Sequence, residues 1–179
     1  MTIIKLIQTL VVFWECKRLD GSMNFKKIVF LDIDGVLNHD GFFARVPENE
    51  AEWKCIDEEK VKLLKDVHDT TGCDYVLSSS WRNGWKTLRK YKMYNYAYKI
   101  FKKYGIDFDG EFGLLPNYGY GRRGDEIYDY IKEHNVEKYA ILDDQYVDLP
   151  NLVRVNGSKG IELSDVEKII EILNKKEEP

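Results

Sequence analysis

Four short apolar runs constrain this chain more than any other feature: "KIVFLDI" (27–33), "DYVLSS" (74–79), "YAILDD" (139–144) and "LVRV" (152–155). Each has the length of a strand, and most close on acids or hydroxyls. Between them lie stretches of helical period. Residues 57–70 put Val61, Leu64 and Val67, with Leu63, on one face, and residues 124–134 do the same with Ile127, Tyr128 and Ile131. A last helix is expected at "SDVE", where Ser164 would cap and Glu167 reach back. Strands alternating with helices predict parallel βαβ units in a three-layer, Rossmann-like α/β fold. Ligands of such sheets bind beyond the carboxyl ends of the strands, and Asp32, Ser78 and Asp143 all fall there.

A chain of 179 residues suits one domain with a full core. Its first 22 residues are read apart from residues 23–179. The apolar "MTIIKLIQTLVVFW" is interrupted by Lys5 and Gln8 and is too short for a bilayer, which takes about 20 apolar residues. "ECKRLDGSM" lacks the small residues of a signal cleavage site, and Met23 stands just before the first strand. A leader or appended segment and a packed native element are both compatible with these residues. Cys16, Cys55 and Cys73 form no CxxC pair, which points to a reduced, cytoplasmic protein. His39, His68 and His134 have no zinc-ligand spacing. No membrane partner is expected, and a net charge of −4 gives no overall sign of a nucleic-acid binder.

Chemistry concentrates in "FLDIDGVLN". Asp32 and Asp34 lie two apart at a strand end, where buried carboxylates are costly unless a cation or N–H donors offset them. Gly35 lets the chain turn away at once. A hard cation such as Mg²⁺ takes one or two carboxylates plus substrate phosphate and water, and "LDD" offers Asp143 and Asp144 at a later strand end. A lone DxDG is as often a capped turn, but two acid pairs at two strand ends weaken that reading.

"FLDIDGVLN", "VLSSSW", "GRRGDEI" and "ILDD" stand in the order of the four motifs of the haloacid dehalogenase (HAD) superfamily, which residues 27 to about 163 resemble. "SSSWR", "RGDEI" and "KGIELSD" look like the small capless group associated with nucleic-acid (RNA) repair proteins. The resemblance implies a HAD-like fold with little or no cap and a Mg²⁺-dependent phosphatase working through an aspartyl-phosphate. Asp32 would be the nucleophile and Asp34 the general acid/base. Asp32, Asp34, Asp143 and Asp144 would form the metal site. A serine of 78–80, with Ser78 preferred to Ser79, and Arg123 or else Arg122 would bind phosphate. Arg82 would either face substrate or pair with an acid. An aspartate two after the nucleophile fits full hydrolysis of a phosphomonoester.

The substrate is less constrained. Residues 81–105 hold eight Lys/Arg, eight aromatics and no acid, and without these eight bases 19 face 31 acids elsewhere. Bases interleaved with aromatics suit single-stranded nucleic-acid ends, but Leu88, Tyr91, Tyr94, Tyr98 and Phe101 also recur at helical spacing and fit a core face. The loop "HDGFFARVPENEAEWK" is either a flap carrying Phe42, Phe43 and Arg45 or a plain surface loop. Small metabolites and phosphoproteins are alternative substrates. A non-catalytic phosphate- or nucleic-acid-binding module and a DxD-type nucleotide-sugar transferase are the competing classes.

Overall fold

The structure, a computed structural model, describes residues 27–117 and 121–175. The leader, Met23 and the end of the charged tail lie outside the described residues. Four strands, β1 (Lys27–Leu31), β2 (Asp74–Leu77), β3 (Lys138–Asp143) and β4 (Leu152–Arg154), form one all-parallel sheet in the order β2-β1-β3-β4. The four apolar runs thus become four strands, and the predicted α/β architecture is the observed one.

Helices cover both faces because β1 is apolar on both. Val29 and Leu31 face a core shared with α1 (Glu58–Thr71), α2 (Lys92–Lys103) and α4 (Leu163–Asn174). Ile28 and Phe30 face a smaller core built on α3 (Arg123–Glu133). Asp57 caps α1 by accepting from Glu59 N–H at 3.1 Å, and Gly72 ends it at φ +68°.

Three local expectations need correction. The last helix begins at Leu163, and its capping box pairs Glu162 with Asp165, not Ser164 with Glu167. On α3 the sheet-facing aromatic is Tyr130, 1% exposed, because Ile127 and Tyr130 complete the i, i+3 stripe that leaves Tyr128 at 47%. The stretch 81–105 is not one helix. Short 3₁₀ turns at Ser80–Asn83 and Leu88–Lys90 precede α2, so the face starting at Leu88 is broken and Tyr91 is exposed.

The loop after β1 folds as a one-turn helix, Asp40–Phe43, and a 3₁₀ turn, Glu48–Glu50. Phe42 is buried and Phe43 half exposed. His39 is buried between the Ser158 carbonyl (3.3 Å) and Asp57 Oδ2 (3.2 Å), and Arg45 donates to the Gly41 carbonyl and to Asp57. This loop is therefore tied down over α1. No described helix is long and apolar enough to cross a membrane.

Candidate active site

The sheet order places its topological switch between β1 and β3: the chain leaves β1 for β2 on one side and β3 for β4 on the other. The crevice at that switch is where open parallel sheets bind ligands. Asp32 extends β1, its N–H donating to the Leu142 carbonyl of β3 at 3.0 Å. Asp143 ends β3, and Ser78 follows β2, donating to the Leu31 carbonyl at 2.9 Å. Backbone pairing alone thus sets three chemically active side chains in adjacent rows.

The acids gather as a cluster. One carboxylate oxygen from each of Asp32, Asp143 and Asp144 lies within 4.8 Å of the others. Asp32 and Asp143 are buried, 3% and 0% exposed. Burial pushes the Asp32 carboxyl up to about 7; Arg123 opposes the rise, while Asp143, Asp34 and Asp144 add to it. Burial, and then Asp143, likewise raises Asp144 above the usual carboxylate range. A cation among them would reverse that tendency.

The donor set fits a hard cation. All candidate ligand atoms are carboxylate oxygens, and Asp144 Oδ1 is buried with no hydrogen-bond partner among the described residues. Such a set suits Mg²⁺ better than a soft metal. The Asp144 carboxylate wedges between two backbones, since a Cβ on Gly35 or Gly157 would lie 2.5 or 2.8 Å from its Oδ2. Asp34 does not join this cluster. Its carboxylate turns aside to Asn38 and Trp81.

Arg123, the first residue of α3, reaches back to Asp32 Oδ1 at 2.9 Å and to Asp143 Oδ2. Arg122, 80% exposed, pairs with Asp125 instead. The adjacent serines also differ. Ser78 Oγ is wholly buried with no partner among the described residues, whereas Ser79 Oγ accepts from Trp81 N–H at 3.4 Å. An unpaired buried hydroxyl costs about 1–3 kcal/mol, so of the two serines Ser78 is the one with an uncommitted hydroxyl. Arg82 pairs with an acid: it donates to Glu126 Oε2 at 2.5 Å and to the Ser78 carbonyl, bracing the turn. Asp148 accepts from the Tyr146 hydroxyl at 3.0 Å and stays out of the cluster.

Beside the acids opens a cleft of about 430 Å³, lined by Gly35, Asn38, Phe43, Asp144 and Asn156 among others. Sequence reasoning did not find it, because its walls come from two loops more than 100 positions apart.

The four motifs, their order and this strand-end geometry agree with a comparison against known families. The family described as "HAD domain in Swiss Army Knife RNA repair proteins" matches residues 28–166. The chain belongs to that family. No curated protein and no solved structure matches it. The HAD domain thus takes in all four strands and the start of α4, and every candidate site residue lies inside it.

Proposed function

We propose that this HAD domain is a Mg²⁺-dependent phosphomonoester hydrolase that forms an aspartyl-phosphate on Asp32 and acts on phosphorylated nucleic-acid ends. The observation carrying the proposal is the convergence of Asp32, Asp143, Asp144 and Arg123 one strand away from the unpartnered Ser78 hydroxyl. Asp32, Asp143 and Asp144 would hold Mg²⁺, which when bound supplies the charge that lets a phosphate dianion approach a carboxylate.

The chain's own groups account for the remaining chemistry. A carboxylate oxygen of Asp32 attacks phosphorus as the bond to the leaving oxygen breaks, and Asp34 gives that oxygen its proton. Ser78 Oγ–H and the Arg123 guanidinium bind the equatorial oxygens, where charge builds in the transition state. In the second step Asp34 takes a proton from water, the water attacks phosphorus, and phosphate leaves Asp32 free.

Two features support nucleic-acid ends. The family description names RNA repair proteins. Lys86, Lys90, Lys92 and Lys99 have no ion-pair partner among the described residues, and with the exposed Tyr91 they stand on the segment that leaves the strand end carrying Ser78. The remaining bases there are paired: Arg82 with Glu126, Arg89 with Asp109, Lys102 with Asp107 and Lys103 with Glu58. Most aromatics of the segment pack inward, Trp85 and Phe101 against Phe108.

The decisive experiment is a colorimetric phosphatase assay with and without Mg²⁺ on the full chain and on Asp32→Asn. Turnover should need Mg²⁺ and fall to background in Asp32→Asn, with an unchanged circular dichroism spectrum. Substantial turnover by Asp32→Asn would sink the covalent mechanism. A panel of phosphorylated oligonucleotides, nucleotides and sugars then ranks substrates, and a preference for sugars would displace nucleic-acid ends.

A further inference from the structure

Asp34 differs from the other site acids in being held by two side-chain donors from separate parts of the chain. The Trp81 indole N–H donates to its Oδ2 at 3.1 Å and to its Oδ1 at 3.3 Å, and Asn38 Nδ2 donates to Oδ1 at 2.8 Å. Each donor is itself fixed. Asn38 Oδ1 accepts the Gly35 N–H at 3.0 Å, which sets the amide so that its NH₂ faces Asp34. Trp81 is 8% exposed, its ring 5.0 Å from that of Tyr94, and its backbone N–H reaches Ser79 Oγ.

This arrangement exceeds what packing requires. Stacking on Tyr94 asks only for an aromatic face, yet the residue present brings an N–H whose acceptor is the Asp34 carboxylate. The donors are also unequally shared: Oδ1 takes both, while Oδ2 takes the indole alone. A lone pair therefore stays free on Oδ2. Trp81 belongs to the 3₁₀ turn Ser80–Asn83, which starts two residues after Ser78, so one short turn links the strand-end hydroxyl to the acid.

We infer that Trp81 and Asn38 are positioning residues that clamp Asp34 with Oδ2 as the oxygen giving and taking the proton. The inference rests on the phosphatase reading for its reaction, but the clamp itself can be observed without turnover. Near-attack geometry is sensitive to small misplacements, so loosening the carboxylate should slow proton transfer more than binding.

Trp81→Phe keeps the ring and removes the donor. For an alkyl phosphate, kcat should fall about tenfold or more, part of the ~10²–10⁴ that a positioned general acid contributes. For p-nitrophenyl phosphate, whose leaving group needs no proton, single-turnover release of p-nitrophenolate should slow little and its binding should hold, while steady-state kcat still falls because Asp34 must take a proton from water in the second step. Adding Trp81→Phe to Asp34→Asn should change nothing further. In ¹⁵N NMR, the indole resonance that Trp81→Phe removes should shift in Asp34→Asn. Should Trp81→Phe not fold, Asn38→Ser carries the same comparison of esters. Equal losses on both esters in single-turnover release of the alcohol, or an additive double variant, would make Trp81 structural and overturn the inference. An indole resonance unmoved by Asp34→Asn would overturn the clamp. A chain that hydrolyses no phosphate ester ends the hydrolase reading and the proton-transfer role with it, and the indole shift then decides the clamp on its own.

Discussion

Gly35 sits at φ +75°, a backbone region that suits glycine, and a Cβ there would lie 2.5 Å from Oδ2, 2.6 Å from Cγ and 3.0 Å from Cβ of Asp144. The clash reaches past the carboxylate tip, so rotating its oxygens does not relieve it. Gly35→Ala should therefore destabilise the fold by about 1–3 kcal/mol in chemical denaturation and push Asp144 from the acid cluster. Calorimetry should then record weaker Mg²⁺ binding, and unchanged affinity would show that Asp144 is no ligand. Residues of this kind were partly legible in the sequence. Asp32, Asp143, Asp144 and Arg123 gather as their strand-end and helix-start positions implied. Ser78 is preferred to Ser79 because it directly follows the apolar run, and the structure adds that Ser79 Oγ is engaged by Trp81 N–H. The aside taken by Asp34 needed Trp81, 47 positions away, which no local pattern encodes.

The 3₁₀ turn that follows β2 is tied to helix α3 by a buried ion pair, Arg82 with Glu126, whose side chains are 11% and 4% exposed. Arg82 also donates to the Ser78 carbonyl, so the pair holds the turn that presents the strand-end hydroxyl. Removing one partner of a buried pair leaves the other uncompensated, which costs about 3–5 kcal/mol. Glu126→Ala should thus lower stability by about that amount in urea unfolding, well beyond a surface substitution. A loss under about 0.5 kcal/mol, the scale of surface changes, would place Arg82 in solvent and reopen it as a phosphate ligand. The elements themselves were legible to different depths. Strands read clearly because short apolar runs stop abruptly at acids and hydroxyls. Helix starts did not: "ELSDVE" contains two capping-box spacings two residues apart, and Leu163 and Val166 decided between them by packing, the first 67% exposed and the second 6%. Tyr128 and Tyr130 posed the same ambiguity, since both lie near one edge of the apolar stripe.

Charge is distributed unevenly over the whole molecule, which carries −4 overall while residues 81–105 hold eight bases and no acid. Among the described residues both core clusters run between Ile28 and Leu173, and every assigned motif lies after residue 26, so a chain beginning at Met23 is expected to fold and turn over like the full one. A fall of many degrees in melting temperature on that truncation would mean that the leader belongs to the fold or to an oligomer. The basic segment poses the larger question, because half of its bases are neutralised by nearby acids and its aromatics mostly serve the core. Under the proposed nucleic-acid reading, recognition would then depend on Lys86, Lys90, Lys92 and Lys99, with Tyr91 as the exposed ring. Each lysine that contacts a backbone phosphate releases counterions, giving a log–log salt slope near ~0.7 per contact for single strands. Replacing Lys86, Lys90 and Lys92 together with Glu should raise KM for a phosphorylated oligonucleotide and flatten its salt dependence. Turnover of p-nitrophenyl phosphate should barely change, because that ester meets only the strand-end groups. Equal loss of both activities, or of neither, would make the segment a solvated face over a structural helix, and a small phosphate ester would then be the better substrate for this open crevice.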